Sequence, residues 1–197
     1  MILFIPWVTA MLGKTKGYIV SNMVYWGIFC LPLTILYTKG SWTSIKSMYS
    51  AALEGKKIVL YNAAAFFPVV ATGIIVFIPT VQKAPAVAIL LALAYAVVNG
   101  TMEELFWRGL YNTVFTSIGT AYIIPTILFS MWHIALALAN GMLYHGGAVA
   151  LLGGAAFMGV LWGAVAYETK SIRFTTMAHV LTNFFAFSGL IYDNWYA

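Results

Sequence analysis

Six long apolar stretches alternate with short polar connectors along the chain. A membrane-spanning helix needs about 20 mostly apolar residues, and each stretch comes close to or reaches this length. The predicted spans are residues 18–37, 58–80, 86–101, 120–139, 147–167 and 174–192. The first part of the connector of residues 102–119 is expected to continue the helix before it. A shorter apolar run, residues 1–12, is interpreted as a partial seventh span or an interfacial helix. The pattern therefore predicts an all-α fold, a polytopic bundle of six to seven transmembrane helices.

The connector of residues 38–57 carries apolar side chains at helical spacing among Ser, Thr and Lys. These side chains are Trp42, Ile45, Tyr49 and Leu53. A helix with one apolar and one polar face binds in the interface plane of a bilayer. We predict an interfacial amphipathic helix here, with an ordinary loop as the alternative.

The stretch of residues 146–163 is rich in Gly and Ala. Small residues let membrane helices approach each other closely. We therefore predict tight helix packing along this stretch and assign its glycines no chemistry.

Composition supports a membrane location for most of the chain. Hydrophobic residues make up 62% of the 197 residues and charged residues only 8%, with a mean hydropathy of +0.91. A soluble domain carries about 25% charged residues, so lipid must be the solvent for most side chains. The net charge of +5 is spread over short connectors, which excludes a nucleic-acid patch and leaves the lipid bilayer as the partner. With no long polar linker, residues 1–197 are predicted to form a single integral membrane domain.

The basic residues predict an orientation in the membrane. If all six spans cross, the connectors alternate sides, and one side holds Lys39, Lys46, Lys56, Lys57, Arg108, Lys170 and Arg173. The other side holds Lys14, Lys16 and Lys83. Because cytoplasmic loops carry an excess of Lys and Arg, the richer side is predicted to face the cytosol. The acidic motif of residues 103–108 falls at that end of its helix, so we predict that the active site lies toward the cytosolic face.

Few ionisable side chains fall inside the predicted spans or in the helical continuation of one of them. An ionisable group within a membrane segment costs roughly 2.5–3.5 kcal/mol and is a functional candidate by default. Four residues meet this description: Glu103, Glu104, His133 and His179.

Helical spacing separates the two adjacent glutamates. Glu104 precedes Arg108 by four residues, which is the favourable order for an ion pair on a helix. Glu103 points about 100° away around the helix, on the face of Asn99, Phe106, Trp107 and Leu110. These aromatic, low-dielectric surroundings suit a general base. The alternative is a helix-end charge cluster in the headgroup layer.

Two further polar pairs use the same spacing of four residues. Phe129 and His133 share one face of a predicted helix, and His179 and Asn183 share one face of another. A lone histidine on an apolar helix is more often a core residue than a catalyst. Three helices that each turn polar groups inward at similar depth favour a shared functional site.

Several membrane protease chemistries are excluded by what the sequence lacks. It has no His-Glu-x-x-His zinc motif, and Asp193 is the only aspartate, which excludes a paired-aspartate site. Ser188 lacks the preceding glycine expected of an intramembrane serine protease, and Cys30 has no histidine near it in sequence. The remaining chemistries are a carboxylate that activates water directly and a carboxylate–histidine metal site.

The ordered set Glu-Glu-x-x-x-Arg, Phe-x-x-x-His and His-x-x-x-Asn resembles the CPBP family of CAAX proteases and bacteriocin-processing enzymes. It is similar to the type II CAAX prenyl endopeptidases, which are intramembrane glutamate proteases. The resembling region covers about residues 86–192 and implies a catalytic core there. The N-terminal half carries no motif of the family.

The resemblance implies a role for each matching residue. Glu103 would activate water, assisted by His133, and His179 with Asn183 would form the oxyanion hole. Glu104 and Arg108 would order the site, with Glu104 as a second candidate for the catalytic work. Structural support is expected from Arg108 and Phe129.

The function implied is a metal-independent endopeptidase without cofactor that acts on a membrane-associated peptide or a lipidated protein. A CAAX protease would remove the last three residues after a lipidated cysteine. A bacterial member would process or degrade a peptide such as a bacteriocin leader, or confer immunity. Two alternatives stay open. One is a zinc hydrolase with Glu103, His133 and His179 as ligands. The other is a non-catalytic immunity factor, scaffold or proton-coupled carrier.

Overall fold

The computed structural model describes residues 1–50 and 55–197, and this part of the chain is helical without any strand. It forms eight helices, counting each continuous run of α-helical and π-helical turns as one. They are α1 (Phe4–Leu12), α2 (Lys14–Thr38), α3 (Trp42–Met48), α4 (Lys56–Val81), α5 (Ala86–Val114), α6 (Gly119–Ala137), α7 (Gly147–Thr169) and α8 (Arg173–Tyr196). The predicted all-α bundle is confirmed.

Six of these helices are long and apolar enough to cross a membrane, namely α2 and α4 to α8. They correspond one to one to the six apolar stretches of the sequence. Large apolar side chains such as Leu90, Ile75 and Val149 are exposed on their outer faces. In water such surfaces would be unfavourable, so they indicate the lipid-facing side of the bundle.

The helix of the third span continues beyond residue 101, as predicted, and α5 ends at Val114. About 16 Å of helix separates Glu103 from Val114, so the acidic motif lies within the helix and not at its end. The helix continues because most of residues 105–111 are apolar and buried, and the charged Arg108 among them is paired with Glu104.

The helix α1 has nine residues and is therefore about 14 Å long, too short to cross the bilayer. Gly13 turns the chain at φ +78°, and α1 folds back against α2. A Cβ at Gly17 would lie 2.5 Å from the Cα of Thr9, so this close approach requires glycine. Residues 1–12 thus form a short helix packed on the bundle.

The helix α3 lies in the connector where an amphipathic helix was predicted. It begins after Ser41, whose hydroxyl accepts a hydrogen bond from the backbone N–H of Ser44 at 3.2 Å. Residues Trp42–Met48 thus form a helix and not an ordinary loop. Trp42, which was predicted on the apolar face, is exposed, and Met48 is buried. The predicted position Leu53 lies outside the described residues, and the location in the membrane interface stays a prediction.

Small side chains set the closest helix contacts. Ala88, Ala92, Ala96 and Gly100 recur every fourth residue on α5 and are buried. A Cβ at Gly100 would lie 3.0 Å from the backbone nitrogen of Val180 on α8. This stripe brings α5 against α8 and leads directly to Glu104, the next residue at the same spacing.

Two glycines of α7, Gly159 and Gly163, make the close helix contacts that were predicted. A Cβ at Gly163 would lie 2.8 Å from the Thr126 hydroxyl oxygen on α6, and one at Gly159 would lie 3.1 Å from the Phe129 ring. The helices α6 and α7 therefore pack closely at the level of Phe129, which is four residues before His133.

The alternation of spans gives the bundle two ends. The end with Lys39, Lys56 and Lys170 is called the lysine-rich end, and the end with Lys14 and Lys83 the lysine-poor end. Arg108 was counted with the connectors of the lysine-rich end, and this was wrong, because it is buried inside α5. The asymmetry that remains is six basic residues against three, which still favours a cytosolic lysine-rich end.

Candidate active site

The two adjacent glutamates lie in the interior of the bundle. Glu103 is 1% exposed and Glu104 is 0% exposed. Arg108 Nη1 donates to Glu104 Oε1 at 2.9 Å, and the Arg108 guanidinium lies 4.1 Å from the centre of the Phe129 ring. Glu104 is thus paired on its own helix, as its spacing predicted, while Glu103 is free to face other helices.

The ion pair forms although the helix is not a regular α-helix here. Residues Leu105–Leu110 form a wider π-helical stretch that begins directly after Glu104. Such stretches are frequent at functional sites. The pairing of Glu104 with Arg108 is retained, and the aromatic residues Phe106 and Trp107 stay buried.

His179 on α8 connects the two glutamates. Its Nδ1 lies 2.9 Å from Glu104 Oε1 and its Nε2 lies 3.3 Å from Glu103 Oε2. Both ring nitrogens are therefore occupied by carboxylate oxygens. The Trp162 ring packs on this imidazole with a centroid separation of 4.4 Å, and the Trp162 N–H donates to the Ala65 carbonyl at 2.9 Å.

His133 on α6 has one ring nitrogen engaged. Its Nδ1 lies 2.9 Å from the backbone carbonyl oxygen of Phe129. Because a carbonyl oxygen only accepts, Nδ1 carries the proton, and in the neutral ring Nε2 is left as the acceptor. The Phe129 ring packs edge-on against the imidazole at 4.7 Å. Phe129 therefore supports both Arg108 and His133.

Asn183 lies one helical turn after His179 on α8. Its amide nitrogen Nδ2 is buried and has no hydrogen-bond partner, and the same holds for the hydroxyl of the preceding Thr182. A buried polar group without a partner is unfavourable. Both residues line a cavity, so their donors are available to a bound molecule.

The central cavity has a volume of about 350 Å³ and is bordered by Glu103, His133, His179 and Asn183. Most of its remaining wall is apolar and comes from α4, α7 and α8, including Ile75, Met158 and Leu190. Ile75 is 59% exposed, so the cavity reaches the outer face of the bundle beside α4. The sequence-predicted residues of three helices are thus brought together at one cavity, and Glu104 lies behind it.

The cavity extends from the glutamate toward the lysine-poor end. There it is bordered by Tyr144 and the exposed His145, in the connector between α6 and α7. Burial raises the pKa of the Tyr144 hydroxyl, which keeps the group neutral, and it donates to the Leu136 carbonyl. The cavity therefore reaches an exposed connector at the end opposite to the lysine-rich one.

Two further residues bind Glu103 directly. Asn99 Nδ2 donates to Glu103 Oε2 at 3.2 Å, and Trp132 Nε1 donates to Glu103 Oε1 at 3.1 Å. Helical spacing placed Asn99 on the face of Glu103, four residues before it, whereas Trp132 was not predicted. Trp132 belongs to another helix, and no local signal distinguishes it from an ordinary core tryptophan.

The three residues considered as zinc ligands do not form a metal cluster. Within residues 1–50 and 55–197, no group of three or more His, Cys, Asp and Glu side chains is arranged to hold a metal ion. Glu103 and His179 contact each other directly, and Nδ1 of His133 is bound to a carbonyl.

A bundle of apolar helices with a buried glutamate, two histidines and a free carboxamide at one cavity is typical of a membrane hydrolase. The family model of the Rce1-like type II CAAX prenyl endopeptidases matches residues 85–185, which is more than half of the chain. The chain therefore belongs to this family of membrane proteases. Comparisons with curated proteins and with solved structures gave no match.

Proposed function

We propose that the protein is an intramembrane endopeptidase in which Glu103 activates water for attack on a peptide bond. The observation that carries the proposal is the position of this buried carboxylate on the wall of the central cavity, beside His133 and the unpartnered Asn183 amide. Membership of the Rce1-like family supports the same conclusion.

The hydrogen bonds of Glu103 leave room for a water molecule. A carboxylate has about four acceptor positions. Oε2 is used by Asn99 and His179, and Oε1 by Trp132 alone. The free position on Oε1 would take a proton from the attacking water, with His133 Nε2 as the assisting acceptor. Glu103 or His133 would then return the proton to the leaving amine.

The oxyanion formed by the attack needs a hydrogen-bond donor. Asn183 Nδ2 meets this need because it is buried, borders the cavity and has no other partner. A preorganised donor of this kind contributes about 3–4 kcal/mol. The resemblance assigned His179 to the same task, but both of its ring nitrogens contact carboxylates. We therefore assign His179 to holding Glu103 and Glu104 in place.

The charges support this assignment of His179. Glu103, Glu104 and Arg108 together carry one net negative charge when all are ionised. An imidazolium at His179 would donate to both carboxylates and make the buried cluster neutral, which favours its burial. Glu104 and Arg108 thereby order the site and remain outside the cavity.

The proposed substrate is a lipidated peptide ending in the CAAX pattern, from which the last three residues are removed. The apolar walls of the cavity and its opening beside Ile75 suit an acyl or prenyl chain that arrives from the bilayer. The name of the family points to the same substrate class.

The test is a fluorogenic peptide assay on the purified full chain, with prenylated and unprenylated CAAX peptides. We expect cleavage of the prenylated peptide, and at least about 100-fold lower activity in Glu103→Ala and in His133→Ala. Glu168→Ala is the matched control, since this glutamate lies at the surface 3.7 Å from Lys57. Full activity in a folded Glu103→Ala protein would contradict the proposal.

The same assay with an added chelator distinguishes activation of water by Glu103 alone from a zinc-dependent hydrolase. We expect activity to persist in excess chelator, because Glu103 activates water without a metal. Activity that disappears with the chelator and returns with zinc would support the zinc alternative.

A further inference from the structure

The carboxylate of Glu103 is held by two donors that depend on a helix outside the family match. Asn99 and Trp132 bind Glu103 directly, and both lie within the matched residues 85–185. Each is contacted in turn by α2, through the adjacent residues Tyr25 and Trp26.

The first chain of contacts runs from Trp26 through Asn99. Trp26 Nε1 donates to Asn99 Oδ1 at 2.9 Å, and Asn99 Nδ2 donates to Glu103 Oε2 at 3.2 Å. An indole N–H can only donate. It therefore holds the Asn99 carboxamide with its oxygen toward α2 and its NH₂ group toward Glu103.

The second chain of contacts runs from Tyr25 through Trp132. The Tyr25 ring stacks on the Trp132 ring with a centroid separation of 3.8 Å and an interplanar angle of 20°. Trp107 Nε1 donates to the Tyr25 hydroxyl at 2.6 Å. This hydrogen bond holds the Tyr25 ring in place against Trp132. The Trp132 indole is thereby oriented so that its N–H meets Glu103 Oε1.

We propose that Tyr25 and Trp26 of α2 are positioning residues for Glu103. Each orients a donor to a different carboxylate oxygen, and together they leave one acceptor position of Oε1 for water. The inference rests on the proposed function of Glu103 as the base. It implies that residues 85–185 lack part of their own active-site support, which α2 supplies.

The test of the first chain is Trp26→Phe, which keeps an aromatic ring and removes the N–H. We expect kcat to fall about tenfold with KM changed less than about twofold, because orientation of the base and not substrate binding is altered. Trp195→Phe is the matched control, since Trp195 Nε1 is buried without a hydrogen-bond partner and the same change removes no hydrogen bond. Wild-type kcat in Trp26→Phe would overturn the proposal.

A double-mutant cycle distinguishes positioning from a general loss of stability. Trp26 acts through Asn99, so we expect Trp26→Phe to have no further effect in an Asn99→Ala background. If the fold-losses in kcat of the two single variants multiplied in the double variant, Trp26 would not act through Asn99.

A measurement independent of activity is the set of indole N–H signals in the NMR spectrum. We expect Glu103→Ala to shift the Trp132 signal and Asn99→Ala to shift the Trp26 signal, while the Trp195 signal stays in place in both variants. Unshifted Trp132 and Trp26 signals would overturn the positioning role. A wild-type protein without peptidase activity would contradict the proposed function instead, and the indole signals would still decide whether α2 orients Glu103.

Discussion

His179 Nε2 lies 3.3 Å from Glu103 Oε2, although the two residues belong to helices separated by two further spans. The contact depends on Gly100, which lets α5 approach the backbone of Val180. The geometry of this site is therefore a consequence of close packing between two helices, and variants that change this packing should alter it.

Gly100→Ala should separate α5 from α8. The new Cβ would lie 3.0 Å from the backbone nitrogen of Val180 and 3.1 Å from its Cα, and backbone atoms cannot move without moving the helix. We expect a loss of about 1–3 kcal/mol in stability together with a larger loss of activity, measured by thermal unfolding in detergent and by the peptide assay. Gly153→Ala is the control, because its Cβ would meet nothing within 4 Å. Equal behaviour of the two variants would show that the close approach at Gly100 is unimportant.

Arg108→Ala should destabilise the protein strongly. Arg108 is 3% exposed and is paired with Glu104 at 2.9 Å, so its removal leaves a buried carboxylate without its guanidinium. The expected loss is about 3–5 kcal/mol, measured by thermal unfolding. Adding Glu104→Gln to Arg108→Ala should recover part of the stability, since the uncompensated charge is then gone. A double variant that is less stable than Arg108→Ala would contradict this account of the ion pair.

Asn183→Asp should lower kcat by about 10²–10³-fold with little change in KM. The substitution keeps the size of the side chain but replaces the unpartnered N–H donor with an acceptor that repels an oxyanion. Asn183→Gln keeps a carboxamide donor and should retain more activity than Asn183→Asp. If steady-state kinetics showed Asn183→Asp to be more active than Asn183→Gln, the proposed role of Asn183 in the oxyanion hole would be contradicted.

The orientation in the membrane can be tested with single cysteines in a Cys30→Ala background. The lysine asymmetry predicts that a cysteine at Lys56 is labelled only from the cytosol and one at His145 only from the opposite side. A membrane-impermeant thiol reagent, applied to intact cells and to inverted vesicles, measures this. Labelling of the His145→Cys variant from the cytosol would reverse the predicted orientation. The end of the cavity beside residue 145 would then face the cytosol.

Much of the fold could be predicted from hydrophobicity, because each span in a bilayer must satisfy its own backbone N–H and C=O groups within a helix. Each apolar stretch therefore identifies one helix without knowledge of its neighbours. The end of α5 at Val114 could not be found in this way. The spacing of Glu104 and Arg108 indicates a helix that continues past residue 101, but where it ends depends on packing inside the bundle.

The sequence by itself determined which side chains are candidates for chemistry, since a nearly uncharged chain leaves few, and spacing of four residues paired Glu104 with Arg108. Contacts between helices were decided only by the tertiary structure. They place His179 between the two glutamates, occupy both of its nitrogens, and add Trp132 and α2 to the surroundings of Glu103. The physical reason is that spacing along a helix specifies a face, whereas the partner of that face depends on how closely small residues such as Gly100 let the helices approach.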